Sequence, residues 1–111
     1  LIVTPAGGQG QLKAELLSAL RDAICLVVDN SSGLTMLHIS GENAAALLAT
    51  DCPLDLQSRE FKPGQCAQTR LARAGMTLSP LPDSSGFEVI IRRSFADYLL
   101  LWLQDAAIAF E

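Results

Sequence analysis

The chain has 111 residues, of which 50% are hydrophobic and 18% charged, and its net charge at pH 7 is −4. This length predicts one domain with a modest hydrophobic core. Apolar runs are no longer than six residues, whereas a membrane-spanning helix needs about 20, which argues against a membrane protein. The eight basic residues are dispersed along an acidic chain, which argues against a nucleic-acid partner.

The first third of the chain predicts a strand, a helix and a hairpin. Residues 1–4 are an apolar stretch typical of a strand. Helical periodicity over residues 11–23 predicts an amphipathic helix that lies on a sheet. Residues 24–29 are rich in β-forming side chains, turn-forming residues follow at 30–33, and residues 34–40 resume a strand pattern, so we expect these two strands to pair as a hairpin.

The rest of the chain predicts a second helix, three consecutive strands and a last helix. The helix covers residues 42–50 and ends before Pro53, because proline cannot continue a helix interior. Strands are predicted at the following residues: 66–73 and 76–81, joined by a turn at 74–75, and 87–93. Together these elements indicate an α+β fold with a mostly antiparallel sheet and three helices.

The last helix is predicted to run over residues 95–110 and to leave apolar surface uncovered. Ser94 is a candidate N-cap, with Asp97 completing a capping-box-like arrangement. Residues 99–103 are all apolar and cover every side of a helix, so one sheet cannot bury them. A second protein is the expected cover, with Leu100 and Trp102 as interface candidates. The alternative is an adjoining segment of the same protein.

Two adjacent arginines, Arg92 and Arg93, precede this last helix, where their charge is unfavourable to the helix dipole. We expect them either to pair with a carboxylate on a partner chain or to be a plain solvated pair.

The cysteines and the histidine offer little chemistry. Cys25, Cys52 and Cys66 lack CxxC spacing, and an odd number of them is typical of reduced, buried thiols in a cytoplasmic protein. Cys66 with His38 as its base is the one nucleophilic pairing available, and no residue supplies the third, orienting group. His38 lacks neighbours at metal-ligand spacing, so we predict no catalytic, cofactor or metal site in this chain.

Three blocks of sequence, in this order and with these gaps, carry a resemblance to a known family. They are CPLDL at 52–56, FKPGQCAQTRLA at 61–72, and residues 87–103 with RRSFADY at 92–98. They strongly resemble the gamma-subunit family of heterotetrameric sarcosine oxidases. Residues 28–48, with SGENA at 40–44, look like the wider aminomethyltransferase-like, folate-binding superfamily. The resemblance therefore covers nearly the whole chain.

The resemblance implies a ferredoxin-like, aminomethyltransferase-like fold and a structural role. Complexes of this kind oxidatively demethylate sarcosine to glycine with O₂ and tetrahydrofolate, giving H₂O₂ and 5,10-methylenetetrahydrofolate. The partners implied are the alpha, beta and delta subunits, which hold FAD, FMN, NAD, zinc and tetrahydrofolate. Gamma subunits of this family extend further at the N-terminus, so we expect the chain to be the C-terminal part of a longer one.

Two other functions remain open from the sequence. The chain could be a stand-alone folate-binding or aminomethyl-transfer domain, for which Asp29 and Glu42 are the candidate carboxylates. It could also be a homo-oligomer that uses its last helix against itself.

Overall fold

The structure, a computed structural model, describes residues 1–57 and 59–110. The chain forms two compact units, one of residues 1–31 and one from residue 32 onward. The expectation of a single domain stays a prediction. Among the described residues, none of the helices has the length and apolar character needed to cross a membrane.

The first unit contains one helix, α1 (Gln9–Ala19). The helix begins two residues before its predicted start and ends four before its predicted end. It ends early because the next residues form a separate turn, in which Ala23 donates its N–H to the carbonyl oxygen of Leu20. No residue of α1 is buried, and Leu12 and Leu16 are half-buried. The strands predicted at 1–4 and 24–29 were wrong, since neither segment is a strand.

The second unit is built on a four-stranded antiparallel sheet. Its strands are β1 (Leu34–Ser40), β2 (Ala67–Leu71), β3 (Ala74–Pro80) and β4 (Gly86–Arg92). Their order across the sheet is β1-β4-β3-β2. The predicted hairpin between residues 24–29 and β1 was wrong, because residues 24–29 do not form a strand, and the strand that pairs with β1 is β4.

Two α-helices, α2 (Ala44–Ala49) and α3 (Ala96–Ala107), contribute to the core of the second unit. Side chains at alternate positions of β4 point to one face, where Val89 and Ile91 are buried. Leu48 of α2 and Leu99 of α3 belong to the same core cluster, and both are 0% exposed. The predicted α+β class, with a mostly antiparallel sheet and three helices, is thus confirmed, whereas its superfamily assignment stays a prediction.

The turn between β2 and β3 lies two residues earlier than the sequence indicated. Leu71 pairs with Ala74, so the turn residues are Ala72 and Arg73 rather than 74–75. Ala72 adopts a φ of 52°, a conformation that glycine favours. Because alanine stands at this position, the sequence shows no glycine at the true turn, and the nearest glycine, Gly75, was taken for it. The N–H of Ala72 donates to the carbonyl oxygen of Asp51 at 3.2 Å, which fixes the turn against the end of α2.

Two glycines, Gly41 after β1 and Gly86 at the start of β4, shape the junction between these strands. Gly41, with a φ of 119°, follows β1 and donates its N–H to the carbonyl oxygen of Ser85 at 3.0 Å. Opposite it, Gly86 pairs with Ser40, and a Cβ atom there would overlap the carbonyl oxygen of Ile39. Gly86 is therefore required by the close approach of the β1 backbone, whereas Gly41 has open space around it and is favoured by its positive φ.

The start of the last helix also differs from the prediction. A 3₁₀ turn over Arg93–Phe95 precedes α3, whose N-cap is Phe95 and carries no side-chain hydrogen bond. The predicted capping role of Ser94 was therefore wrong, because this residue lies within the 3₁₀ turn. A second 3₁₀ turn, Ile108–Phe110, follows α3 within the predicted helix range.

Candidate interaction surface

The helix α3 and the 3₁₀ turn that follows it carry three exposed apolar side chains. They are 49%, 66% and 62% exposed and are named here the α3 outer face: Leu100, Leu101 and Ile108. At about 100° per residue, Leu100 and Leu101 lie about 100° and 200° round α3 from the buried Leu99. The exposed Gln104 and Asp105 lie between Leu101 and Ile108, so the apolar surface is concentrated at Leu100 and Leu101. Adjacent exposed leucines on a helix mark a candidate interaction site.

Trp102, by contrast, is turned partly toward the core. Its side chain is half-buried and packs against the core of its own unit, as does that of Leu103. The run at 99–103 thus divides into a buried residue, two half-buried residues, and the exposed Leu100 and Leu101. Of the two predicted interface residues on this helix, Leu100 is exposed and Trp102 is half-buried. The interface role of both stays a prediction.

Arg92 and Arg93 are both exposed. Arg92 alternates with the buried Ile91 on β4 and so points to the face of the sheet opposite the core. Arg93 begins the 3₁₀ turn, and its backbone N–H donates to the carbonyl oxygen of Gly33 at 2.9 Å. Within residues 1–57 and 59–110, neither guanidinium has a carboxylate within 4.0 Å, so both charges are available to a partner.

A cleft of about 550 Å³ opens at the end of the sheet where β1 and β4 meet. Its apolar lining includes Phe61 and Phe87, whose rings stack with centroids 6.4 Å apart. The polar lining includes Glu42, a carboxylate, together with Ser84 and Ser85. The cleft thus places a carboxylate near two phenylalanines that are themselves buried and stacked on each other.

The two carboxylates that the sequence offered for folate have different surroundings. Glu42 lines the cleft, whereas Asp29 belongs to the first unit. The Ser31 hydroxyl, and then the Ser31 backbone N–H, donate hydrogen bonds that lower the pKa of Asp29 below its ordinary value. These hydrogen bonds favour the ionised form of Asp29, and its carboxylate already accepts hydrogen bonds from Ser31.

The geometry does not assemble a nucleophilic pair. Cys66 precedes β2 at one edge of the sheet, and His38 lies on β1 at the other edge. Three strand spacings separate the edges, which is about 14 Å. His38 instead faces Glu88 across the strands, with Nε2 3.4 Å from Oε2, a cross-strand pair that only the register reveals.

The cysteines confirm one prediction and correct two. Cys52 is buried in the core, as expected of a small hydrophobic side chain. Cys25 and Cys66 are exposed, contrary to expectation, because neither lies in an element that packs on the core. All three are free thiols. Within the part of the chain that the structure describes, no three His, Cys, Asp or Glu side chains form a group able to hold a metal ion.

Comparisons with known proteins agree with the resemblance read from the sequence. The model of a family described as sarcosine oxidase, gamma subunit, matches residues 1–109. Sarcosine oxidase subunit gamma from Corynebacterium sp. strain P-1 is 34% identical over 110 residues, covering 99% of this chain and 53% of that protein. The same subunit from an Arthrobacter species is 32% identical over 110 residues, with the same two shares.

A solved structure shows the same fold. In heterotetrameric sarcosine oxidase from Corynebacterium sp. U-96 in complex with pyrrole 2-carboxylate, one chain matches with a TM-score of 0.83 and 31% sequence identity. The match covers 90% of this chain and 51% of the other. The chain spans about half the length of the curated relatives it matches. By sequence and by fold, the chain belongs to the sarcosine oxidase gamma subunit family.

Proposed function

We propose that the chain is a non-catalytic, structural part of a cytoplasmic, heterotetrameric sarcosine oxidase, assembled with alpha, beta and delta subunits. The complex would demethylate sarcosine to glycine with O₂ and tetrahydrofolate, producing H₂O₂ and 5,10-methylenetetrahydrofolate. Family membership and the heterotetrameric relative support assembly with other subunits. The observation that carries the proposal is the α3 outer face, because exposed leucines at this density are stabilised by burial against another surface.

In this proposal the cofactors belong to the partner subunits: FAD, FMN, NAD, zinc and tetrahydrofolate. The non-catalytic role is supported by the separation of Cys66 from His38, which lie at opposite edges of the sheet. The chain then contributes to activity by holding larger subunits in place.

Replacing both Leu100 and Leu101 with aspartate is expected to weaken assembly without unfolding the chain. Both side chains are at least 49% exposed, so the change costs little in the free chain, whereas two carboxylates in an apolar interface would be desolvated. We expect affinity to fall at least about tenfold, since losing one interface hot spot costs about 2 kcal/mol or more. Co-expression of the tagged chain with the products of neighbouring genes, followed by pull-down and a flavin absorbance scan, measures this loss.

The matched control replaces the same two leucines with methionine, which keeps the surface apolar at similar volume. That variant is expected to recover the flavin-containing chains as the unaltered chain does. Equal recovery by the aspartate and methionine variants would show that α3 does not face a partner. Failure of the unaltered chain to recover any flavin-containing chain would refute the proposed function itself.

A second candidate function, stand-alone folate binding, is favoured by the position of Glu42 in the cleft beside Phe61 and Phe87. A carboxylate can accept hydrogen bonds from the ring nitrogens of a pterin, and apolar walls can enclose its faces. Tetrahydrofolate binding by the lone chain, lost on changing Glu42 to alanine, would support this candidate over the structural role.

A further inference from the structure

We draw no further inference here: the strongest candidate, the cluster of exposed arginines at the end of the sheet where β2 turns into β3 and β4 ends (Arg70, Arg73, Arg92 and Arg93), carries nothing, because nothing in the part of the chain that the structure describes shows what covers it.

Discussion

Changing Gly86 to alanine is expected to destabilise the second unit by about 3 kcal/mol or more, the upper range for forcing extra atoms into a packed site. The added Cβ would overlap the carbonyl oxygen of Ile39 and lie 2.6 Å from the Cα of Ser40. Both obstacles are backbone atoms of β1, so no side-chain rotation can relieve the overlap. The strands β1 and β4 would have to separate at the end where they now pair.

Gly75 provides the matched control. It also lies in a strand, β3, and an added Cβ there would meet nothing within 4 Å. Gly75→Ala should therefore change stability by less than about 1 kcal/mol, because removing glycine restricts the unfolded chain without creating a clash. Urea unfolding followed by far-UV circular dichroism measures both variants. Equal midpoints for the two would mean that β1 does not approach Gly86 as the structure has it.

Changing Leu99 to alanine is expected to cost about 2 to 5 kcal/mol, the range for deleting most of a buried leucine side chain. Leu99 is 0% exposed and packs in the same cluster as Leu48, Val89 and Ile91, so its truncation would leave a cavity between α3 and the sheet. Because this loss approaches the whole stability of a typical small domain, we expect the variant to be largely unfolded at 37 °C.

Leu101, two positions along the same helix, is the control for this truncation. It is 66% exposed, so Leu101→Ala removes little buried surface and should cost less than about 1 kcal/mol. Thermal unfolding of the two single variants separates the core side of α3 from its outer face. A large loss for Leu101→Ala would show that this leucine is covered within the free chain, and the α3 outer face would no longer serve as a docking surface.

The strands of the second unit could be predicted where the sequence of each strand shows a local strand pattern. β1 was predicted at its observed bounds and β4 within one residue, because turn residues precede both strands and apolar positions alternate along β4. The helix α2 was recognised from its stripe of Ala44, Leu47 and Leu48, all of which are buried. Such local patterns depend on side chains a few residues apart, which a sequence displays directly.

The pairing of strands could not be read in the same way. Residues 24–29 precede β1 with turn chemistry between them, and this local arrangement favours a hairpin. The actual partner of β1 is β4, which lies far along the chain and matches β1 through residue pairs such as Leu37 with Val89. Strand propensity indicates that a segment can pair, and the choice of partner depends on packing between distant segments.

The exposure of apolar side chains on the last helix was predicted, but not which of them are exposed, and their role in an interface stays a prediction. Five successive apolar residues show that a helix has more apolar surface than one sheet can cover, which is correct for Leu100 and Leu101. The rotation of the helix decides which residues are left outside, and it turns Trp102 partly inward. The cross-strand pairing of His38 with Glu88 likewise depends on a register that no local pattern contains.

The strand order β1-β4-β3-β2 has a consequence for how the second unit folds. β2, β3 and β4 follow one another through short turns, so closing these contacts costs little chain entropy. β1 must instead find β4 across the whole segment that contains α2, β2 and β3, a contact of high sequence separation that slows folding. We therefore expect the three-stranded meander to form early and β1 to dock late. During synthesis β1 is made before β4, so its apolar side chains stay unpaired until β4 has also left the ribosome.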